Sequence, residues 1–547
     1  MLKSFISLFF FFIITLSSFA QQPNFTRQDT LRGTITAERV WWDLLHYDLD
    51  MKVDPSTKSL QGNNTIRYKV LKNDQRMQID LQPPMEITKI TQNNRDLNFV
   101  RDGNAYFVAL KEQQVAGKVN EITIEYQGIP KISNNPPWDD GFTWSSDTNG
   151  NDFIATSCQG GGASIWWPCK DHMYDEPDQG ISLDITTPKH LMGVGNGRLI
   201  NVKENSDDTK TYSWKVVNPI NNYGVNVNIG DYVHFSETYK GKKGQLNCDY
   251  YVLPYNLEKA KQQFKEAART LEAFEHWFGA YPFYEDGFKL VEVPYLGMEH
   301  QSSVTYGNGY QNGYRGRDLS GSGWGLKFDF IIVHEVGHEW FANSITNIDM
   351  ADMWIHESFT AYSENLFLDY HFGTEASNAY VIGTRKNIRN DRPIIGFYDV
   401  NHSGSGDMYY KGANMLHTIR QIVHNDEKWR SVLLGINKAF YHQTVHTKQI
   451  EDYLSNHIGL DLTAFFNQYL RSTKIPVLEY KVVAKQLTYR WSNVVDQFLI
   501  PVKIYINGKT QWIKPTKDWI AITTDDLIED FSVDHNFYIE IKDTVEK

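Results

Sequence analysis

Between residues 40 and 240, hydrophobic and polar positions alternate in short runs. Tyr47, Leu49, Met51 and Val53 recur at every second residue before the turn Asp54-Pro55-Ser56-Thr57, and Ile66, Tyr68 and Val70 form a second run. Ile122, Ile124 and Tyr126 repeat the pattern, as do Tyr212, Trp214 and Val216. A period of two places alternate side chains on opposite faces of a strand, so these runs predict a large antiparallel β domain. Near residue 255 the period changes. Leu257, Ala260, Phe264, Ala267, Leu271, Phe274 and Phe278 follow at helical spacing, with Asn256 as N-cap and Gly279 and Pro282 as the stop. Helical patterns continue to about Arg471. After Pro476 the period returns to two, through Val477, Tyr480 and Val482, then Ile500, Val502, Ile504 and Ile506 before the turn Asn507-Gly508. The expected division is an export signal at 1–20, an N-terminal β domain at 21–245, a mainly helical domain at 246–474 and a small β-sandwich at 475–547.

The helical part carries the most informative motif, His334-Glu335-Val336-Gly337-His338, with Glu357 after an eighteen-residue gap. Histidines at i and i+4 project from one helix face, so both imidazoles can hold one metal ion. Glu357 can supply a third ligand from a neighbouring helix, leaving a fourth position open, as in a catalytic zinc site. Glu335 sits beside the pair, where it can act on a water. Phe330-Ile331-Ile332-Val333 leads into the motif and Trp340-Phe341 follows, which predicts a helix hydrophobic nearly all round and therefore buried. Buried histidines and carboxylates need partners, and a metal serves all of them.

Composition narrows the class. With 547 residues, two to four domains are expected, and the 14% aromatic content supplies material for their cores. The net charge of −12, without basic runs, argues against nucleic acid as a partner. Residues 1–20 have the layout of a secretory signal: Lys3, the apolar run Phe9-Phe10-Phe11-Phe12-Ile13-Ile14, and Ser18 and Ala20 at −3 and −1 of a cut before Gln21. The expectation is a periplasmic or secreted protein with no stable membrane insertion after cleavage. Three cysteines, Cys158, Cys169 and Cys248, are too few for a disulfide scaffold. Export permits a Cys158–Cys169 bridge, but buried free thiols are the expected state.

Several motifs together resemble one family. His334-Glu335-x-x-His338 with Glu357, Gly297-Met298-Glu299-His300, Tyr409-Tyr410-Lys411-Gly412, and Cys158-Gln159 with Trp167-Pro168-Cys169-Lys170-Asp171 are similar to segments of the zinc aminopeptidases of the aminopeptidase N and leukotriene hydrolase type, which are gluzincin metallopeptidases. The resemblance implies a multidomain α+β fold: an N-terminal antiparallel β saddle, a thermolysin-like, mainly α catalytic domain and a small C-terminal β-sandwich. It implies one Zn2+ per chain on His334, His338 and Glu357, with Glu335 as general base and Tyr409 as the oxyanion donor. It implies that Glu299 binds the substrate's free α-amine with Gln159 beside it, and that the backbone of Gly297 and Met298 lines the substrate as an added strand. The substrates would be peptides with a free N-terminus. The fixed anion has a clear purpose, because an exopeptidase counts from a chain end and a carboxylate makes charge-assisted hydrogen bonds to an ammonium group.

Three residues depart from the family pattern. His300 and His356 stand where Asn is usual, and Ser358 stands where Gly or Ala is commoner. His300 is expected to alter the charge beside the amine site in mild acid. The glycine-rich stretch 306–325, with Tyr306, Tyr310, Tyr314 and Trp324, is expected to edge the pocket with aromatic contacts. Two rival functions remain: a thermolysin-like zinc endopeptidase, against which the Gly-Met-Glu segment argues, and a catalytically silent peptide-binding scaffold. The signal reading makes a direct prediction: N-terminal sequencing of the exported chain should begin at Gln21, and an intact Met1 would refute it.

Overall fold

The computed structural model describes residues 24–545. The expected export signal, residues 1–20, lies outside the described residues.

The first three β runs form the middle of an eight-stranded sheet. Trp42–Asp54 pairs with Ser59–Val70, which pairs with Val119–Gly128. Their apolar faces cover one core in which Tyr47 meets Trp167 edge-on, ring centroids 4.8 Å apart. The sheet is not wholly antiparallel: Trp42–Asp54 also pairs in parallel with Ile181–Pro188. Between these two strands the chain builds further sheets, including the pair Gly141–Ser146 and Asp152–Ser157. A connection that long allows a parallel return, which a period of two cannot encode. Cys158, Cys169 and Cys248 are buried free thiols.

The hairpin Val233–Gly241 and Gly244–Val252 crosses residue 245, the boundary expected from the sequence. It belongs to a five-stranded sheet completed by Phe288–Glu292, Val304–Tyr306 and the edge strand Gly297–Met298. Packed against this sheet is a helical array with its own core. The single helix expected from residue 257 is two, Leu257–Gln263 and Lys265–Phe278, broken at Phe264. Asn256 does not cap it; its side-chain amide instead donates to Glu292 Oε1 at 2.6 Å. Gly279, at φ 103°, ends the second helix in a conformation that favours glycine.

At the C-terminal end, a sheet containing Val477–Val483 and Gln486–Ser492 accompanies a second containing Val502–Ile506 and Lys509–Ile513. The latter hairpin turns at Asn507 and Gly508, both at positive φ, as a two-residue Asn-Gly turn requires. No helix among the described residues is long and apolar enough to cross a membrane.

The segment before the first long strand is fastened by Arg39. Its buried guanidinium donates to the carbonyls of Leu31, Arg32 and Thr34 and pairs with Asp80 at 2.6 Å. Removing one member of a buried ion pair strands the other charge at a cost of about 3–5 kcal/mol. Arg39→Ala should therefore lower the melting temperature by several degrees in a circular-dichroism scan.

Candidate active site

The helix Phe330–Gly337 starts at Asp329, whose Oδ1 accepts from the backbone amides of Ile331 and Ile332. It crosses the 19-residue helix Trp354–Phe372, which is buried from Trp354 to Leu368. The crossing is close because Gly337 has no side chain: a Cβ there would lie 2.5 Å from Ser363 Oγ. This contact brings His334 and His338, the residue that closes the first helix, onto Glu357 of the second.

His334 Nδ1 lies 2.8 Å from Glu364 Oε1, and His338 Nδ1 lies 3.0 Å from the Phe341 carbonyl. Both acceptors call for a hydrogen on Nδ1, which leaves the Nε2 lone pairs free. The two Nε2 atoms lie 3.8 and 3.5 Å from Glu357 Oε2, a buried oxygen with no hydrogen-bond partner. A tetrahedral zinc ion with ligands near 2.0–2.1 Å has edges of about 3.3 Å. The donor set therefore fits zinc in identity, convergence and spacing. The surrounding carboxylates also favour positive charge at this point. Burial works against charge on His334, yet the nearby carboxylates of Glu357 and Glu364 raise its pKa well above the ordinary value. Burial likewise works against charge on Glu357, but His338 and His334 hold its carboxyl down at about 2.

The other expected residues line the same cleft, of about 800 Å³. Burial, and beyond it the charges of Glu299, Glu357 and Glu364, push Glu335 up to about 8 against the opposing pull of His334. A dication on the ligands opposes that rise. Glu299 is buried, and its Oε1 accepts from Gln159 Nε2 at 2.7 Å and from Tyr223 Oη at 3.1 Å. Gln159 Nε2 also donates to Glu357 Oε1 at 3.0 Å, so one amide bridges the metal ligand and the second carboxylate. Asn343 holds the Glu299 carbonyl at 2.8 Å. Gly297 is required where its strand passes the motif helix: a Cβ there would meet Ile331 Cγ2 at 2.5 Å. Met298 is buried beside it. Tyr409, at the N-terminus of the helix Tyr410–Val423, lies with its ring centroid 6.0 Å from that of His334. Burial, then the charges of Glu357 and Glu299, raise its phenol well above the ordinary value, so it keeps its proton as a donor.

The structure revises two expectations. His300 does not charge in mild acid: burial lowers its pKa to about 3, and its Nδ1 contacts Thr305 Oγ1 at 3.3 Å inside the core. Of the aromatics in the glycine-rich stretch, Tyr314 lines the cleft. Tyr306 and Tyr310 instead pack on Phe264, and Trp324 packs on Phe372, because the stretch folds back onto the helices beneath it. His356 accepts from the Asn347 backbone amide at 2.8 Å, and Ser358 Oγ donates to the Met408 carbonyl at 2.7 Å. Ser358 thus ties the helix of Glu357 to the turn before Tyr409.

Two functional side chains escape sequence reasoning. Tyr223 lies in a short 3-10 turn with no motif around it. Glu364 sits two helical turns beyond Glu357, and that spacing was the available signal. It receives the Tyr380 hydroxyl at 2.6 Å and orients His334. Loss of such an outer partner costs about 10–100-fold in metal affinity. Glu364→Ala should show that loss when Zn2+ is titrated against a competing chelator, with the fold retained by circular dichroism.

Comparison with known proteins identifies the family. Residues 44–223 match the peptidase M1 N-terminal domain, and residues 262–469 match the peptidase family M1 domain. The chain is 21% identical over 458 residues to a leucyl aminopeptidase of Saccharolobus solfataricus, covering 78% of this chain and 54% of the relative. It is 21% identical over 442 residues to leukotriene A-4 hydrolase of Xenopus laevis, covering 76% and 68%. The chain spans about half the length of several curated relatives it matches. The crystal structure of an M1 zinc metallopeptidase from Deinococcus radiodurans superposes with a TM-score of 0.65 at 19% identity, over 80% of this chain and 95% of that one. With the two family matches together covering most of its length, the chain belongs to peptidase family M1.

Proposed function

We propose that the chain is a zinc-dependent aminopeptidase that removes the N-terminal residue of peptides. The observation that carries this reading is Glu299, a buried carboxylate held by Gln159 and Tyr223 in the same cleft as the metal ligands. Bound zinc, held by His334, His338 and Glu357, would supply Lewis acidity that activates a water and polarises the scissile carbonyl.

The protein's own groups supply the rest. Glu299 accepts hydrogen bonds from the substrate ammonium through the oxygen that Gln159 and Tyr223 leave free. Both hydrogens on Gln159 Nε2 are committed to Glu299 and Glu357, so its Oε1 is left as a second acceptor for the ammonium. The edge of the strand Gly297–Met298 offers backbone groups to the peptide as an added strand. Glu335 takes a proton from the attacking water and returns it to the leaving amine. Tyr409 donates to the oxygen on which negative charge develops. An endopeptidase has no use for an anion at the end of its cleft, and a silent scaffold has no use for Glu335. The signal-like residues 1–20 support work on peptides outside the cytoplasm.

An aminoacyl anilide should be hydrolysed and its N-acetylated form should not; cleavage of the blocked form would favour an endopeptidase. A chelator should abolish turnover and added Zn2+ restore it. Glu335→Gln should bind zinc normally yet lose about 10²–10⁴-fold in kcat. Tyr409→Phe should lose about 10²–10³-fold in kcat with little change in KM. Normal turnover by the Glu335 variant would refute the scheme.

A further inference from the structure

Gln159 joins the two halves of the site: its Nε2 donates to Glu299 at 2.7 Å and to Glu357 at 3.0 Å. Yet it stands at the head of three glycines, Gly160-Gly161-Gly162, which have no side chains to pack the turn in place. Gly160 is exposed, Gly161 is half-buried, and Gly162 takes the left-handed φ of 84°. A side chain that must bridge two carboxylates thus hangs from a segment with little rigidity of its own.

Asp140 supplies the missing rigidity. Its Oδ1 accepts from the Gly160 amide at 3.1 Å and its Oδ2 from the Gly161 amide at 2.7 Å, so one carboxylate grips two successive peptide units. An ionised acceptor makes such bonds stronger than neutral ones. The other holds on the turn are uncharged: Gln82 Nε2 donates to the Gly161 carbonyl at 2.7 Å, Asn401 Nδ2 to the Gly160 carbonyl at 3.3 Å, and the Gly162 amide to the Cys158 carbonyl at 2.8 Å. The sheet brings Asp140 to this place. The strands Gly141–Ser146 and Asp152–Ser157 end their ladder with Gly141 opposite Ser157, so Asp140 leaves one strand where Cys158 and Gln159 leave the other. Asp140 is itself held at the left-handed φ of 56°, and Asp139 ties the loop before it by accepting the Asn134 and Asn135 amides at 2.7 and 2.9 Å. Although Asp140 lines the cleft, both its oxygens are turned onto backbone amides.

We propose that Asp140 is a positioning residue for the cleavage reaction, fixing the Gly160–Gly161 turn so that Gln159 stays on Glu299 and Glu357; the proposal rests on the aminopeptidase reading above. Without the carboxylate, the two amides can turn to water and the turn gains conformations. Gln159 then spends less time bridging Glu299 to the metal ligand, and its Oε1 is no longer presented to the substrate ammonium. The chemistry of Glu335 and Tyr409 is untouched, so the loss falls on substrate capture.

Asp140→Asn tests this, because the amide keeps the shape of the side chain but leaves one acceptor oxygen and turns an N–H toward a backbone N–H. In hydrogen exchange followed by mass spectrometry, residues 158–162 should lose protection while the strands Gly141–Ser146 and Asp152–Ser157 keep theirs. With alanine p-nitroanilide the variant should lose roughly tenfold in kcat/KM, mostly through KM, at an unchanged melting temperature. Arginine p-nitroanilide should lose the same factor. Asp140→Ala, which removes both acceptors without adding a donor, should behave alike. In a Gln159→Ala background, Asp140→Asn should cost nothing further, because Asp140 acts through that side chain. Unchanged exchange at residues 158–162 would overturn the inference, as would wild-type kinetics in both Asp140 variants. A loss that persists in full without Gln159 would also overturn it, and a loss confined to the arginine substrate would make Asp140 a direct contact for basic side chains instead. Failure of the wild type to cut either anilide would overturn the aminopeptidase reading, and this inference with it.

Discussion

Four buried carboxylates, Glu299, Glu335, Glu357 and Glu364, surround two imidazoles at the crossing of two apolar helices. Such a cluster cannot persist on hydrogen bonds alone, because like charges at low dielectric repel and desolvation penalises each of them. A divalent cation on the two Nε2 atoms and Glu357 Oε2 removes the conflict at its centre. The surrounding structure then divides into what brings the donors together and what keeps the remaining carboxylates apart. Gly337 against Ser363 brings the two helices close enough for the first task. Gln159, Tyr223 and Tyr380 perform the second by donating to Glu299, Glu357 and Glu364.

The two N-terminal-domain donors show why that domain belongs to the site rather than merely beside it. Two residues before Tyr223, Asn221 donates across to Asn343, and Asn343 in turn holds the backbone of Glu299. Glu299 is thus positioned from both domains. A polar, hydrogen-bonded seam of this kind holds Glu299 at a fixed distance from the metal ligands, and fixed placement of groups is what orients a bound substrate.

The motif residues were legible because each obeys a local rule. His334 and His338 share a helix face, Glu357 lies on the next long apolar segment, and Glu299 and Tyr409 sit in recognisable short strings. Tyr223 obeys no such rule, and Glu364 offers only its place two helical turns beyond Glu357; each matters through the residue it touches. His300 shows the converse error. Its position next to Glu299 suggested a shared environment, but past the end of the strand Gly297–Met298 the two side chains part: Glu299 lines the cleft while His300 contacts Thr305 in the core. Tyr306 and Tyr310 were misjudged for a related reason, since glycine-rich composition hides how far a loop folds back onto a core.

The sequence by itself determined the metal-binding chemistry, the order of β, α and β parts and the general class of reaction, because those depend on residue type and on spacings within one element. Only the tertiary structure decided that the Trp42–Asp54 strand takes a parallel neighbour, that one expected helix is broken at Phe264, and which oxygen of which glutamate is left without a partner. The physical reason is that burial and hydrogen bonding are properties of neighbours distant in the chain. Glu357 and Glu364 are chemically identical in the sequence. They differ in function because one faces the two free Nε2 atoms and the other faces a protonated Nδ1.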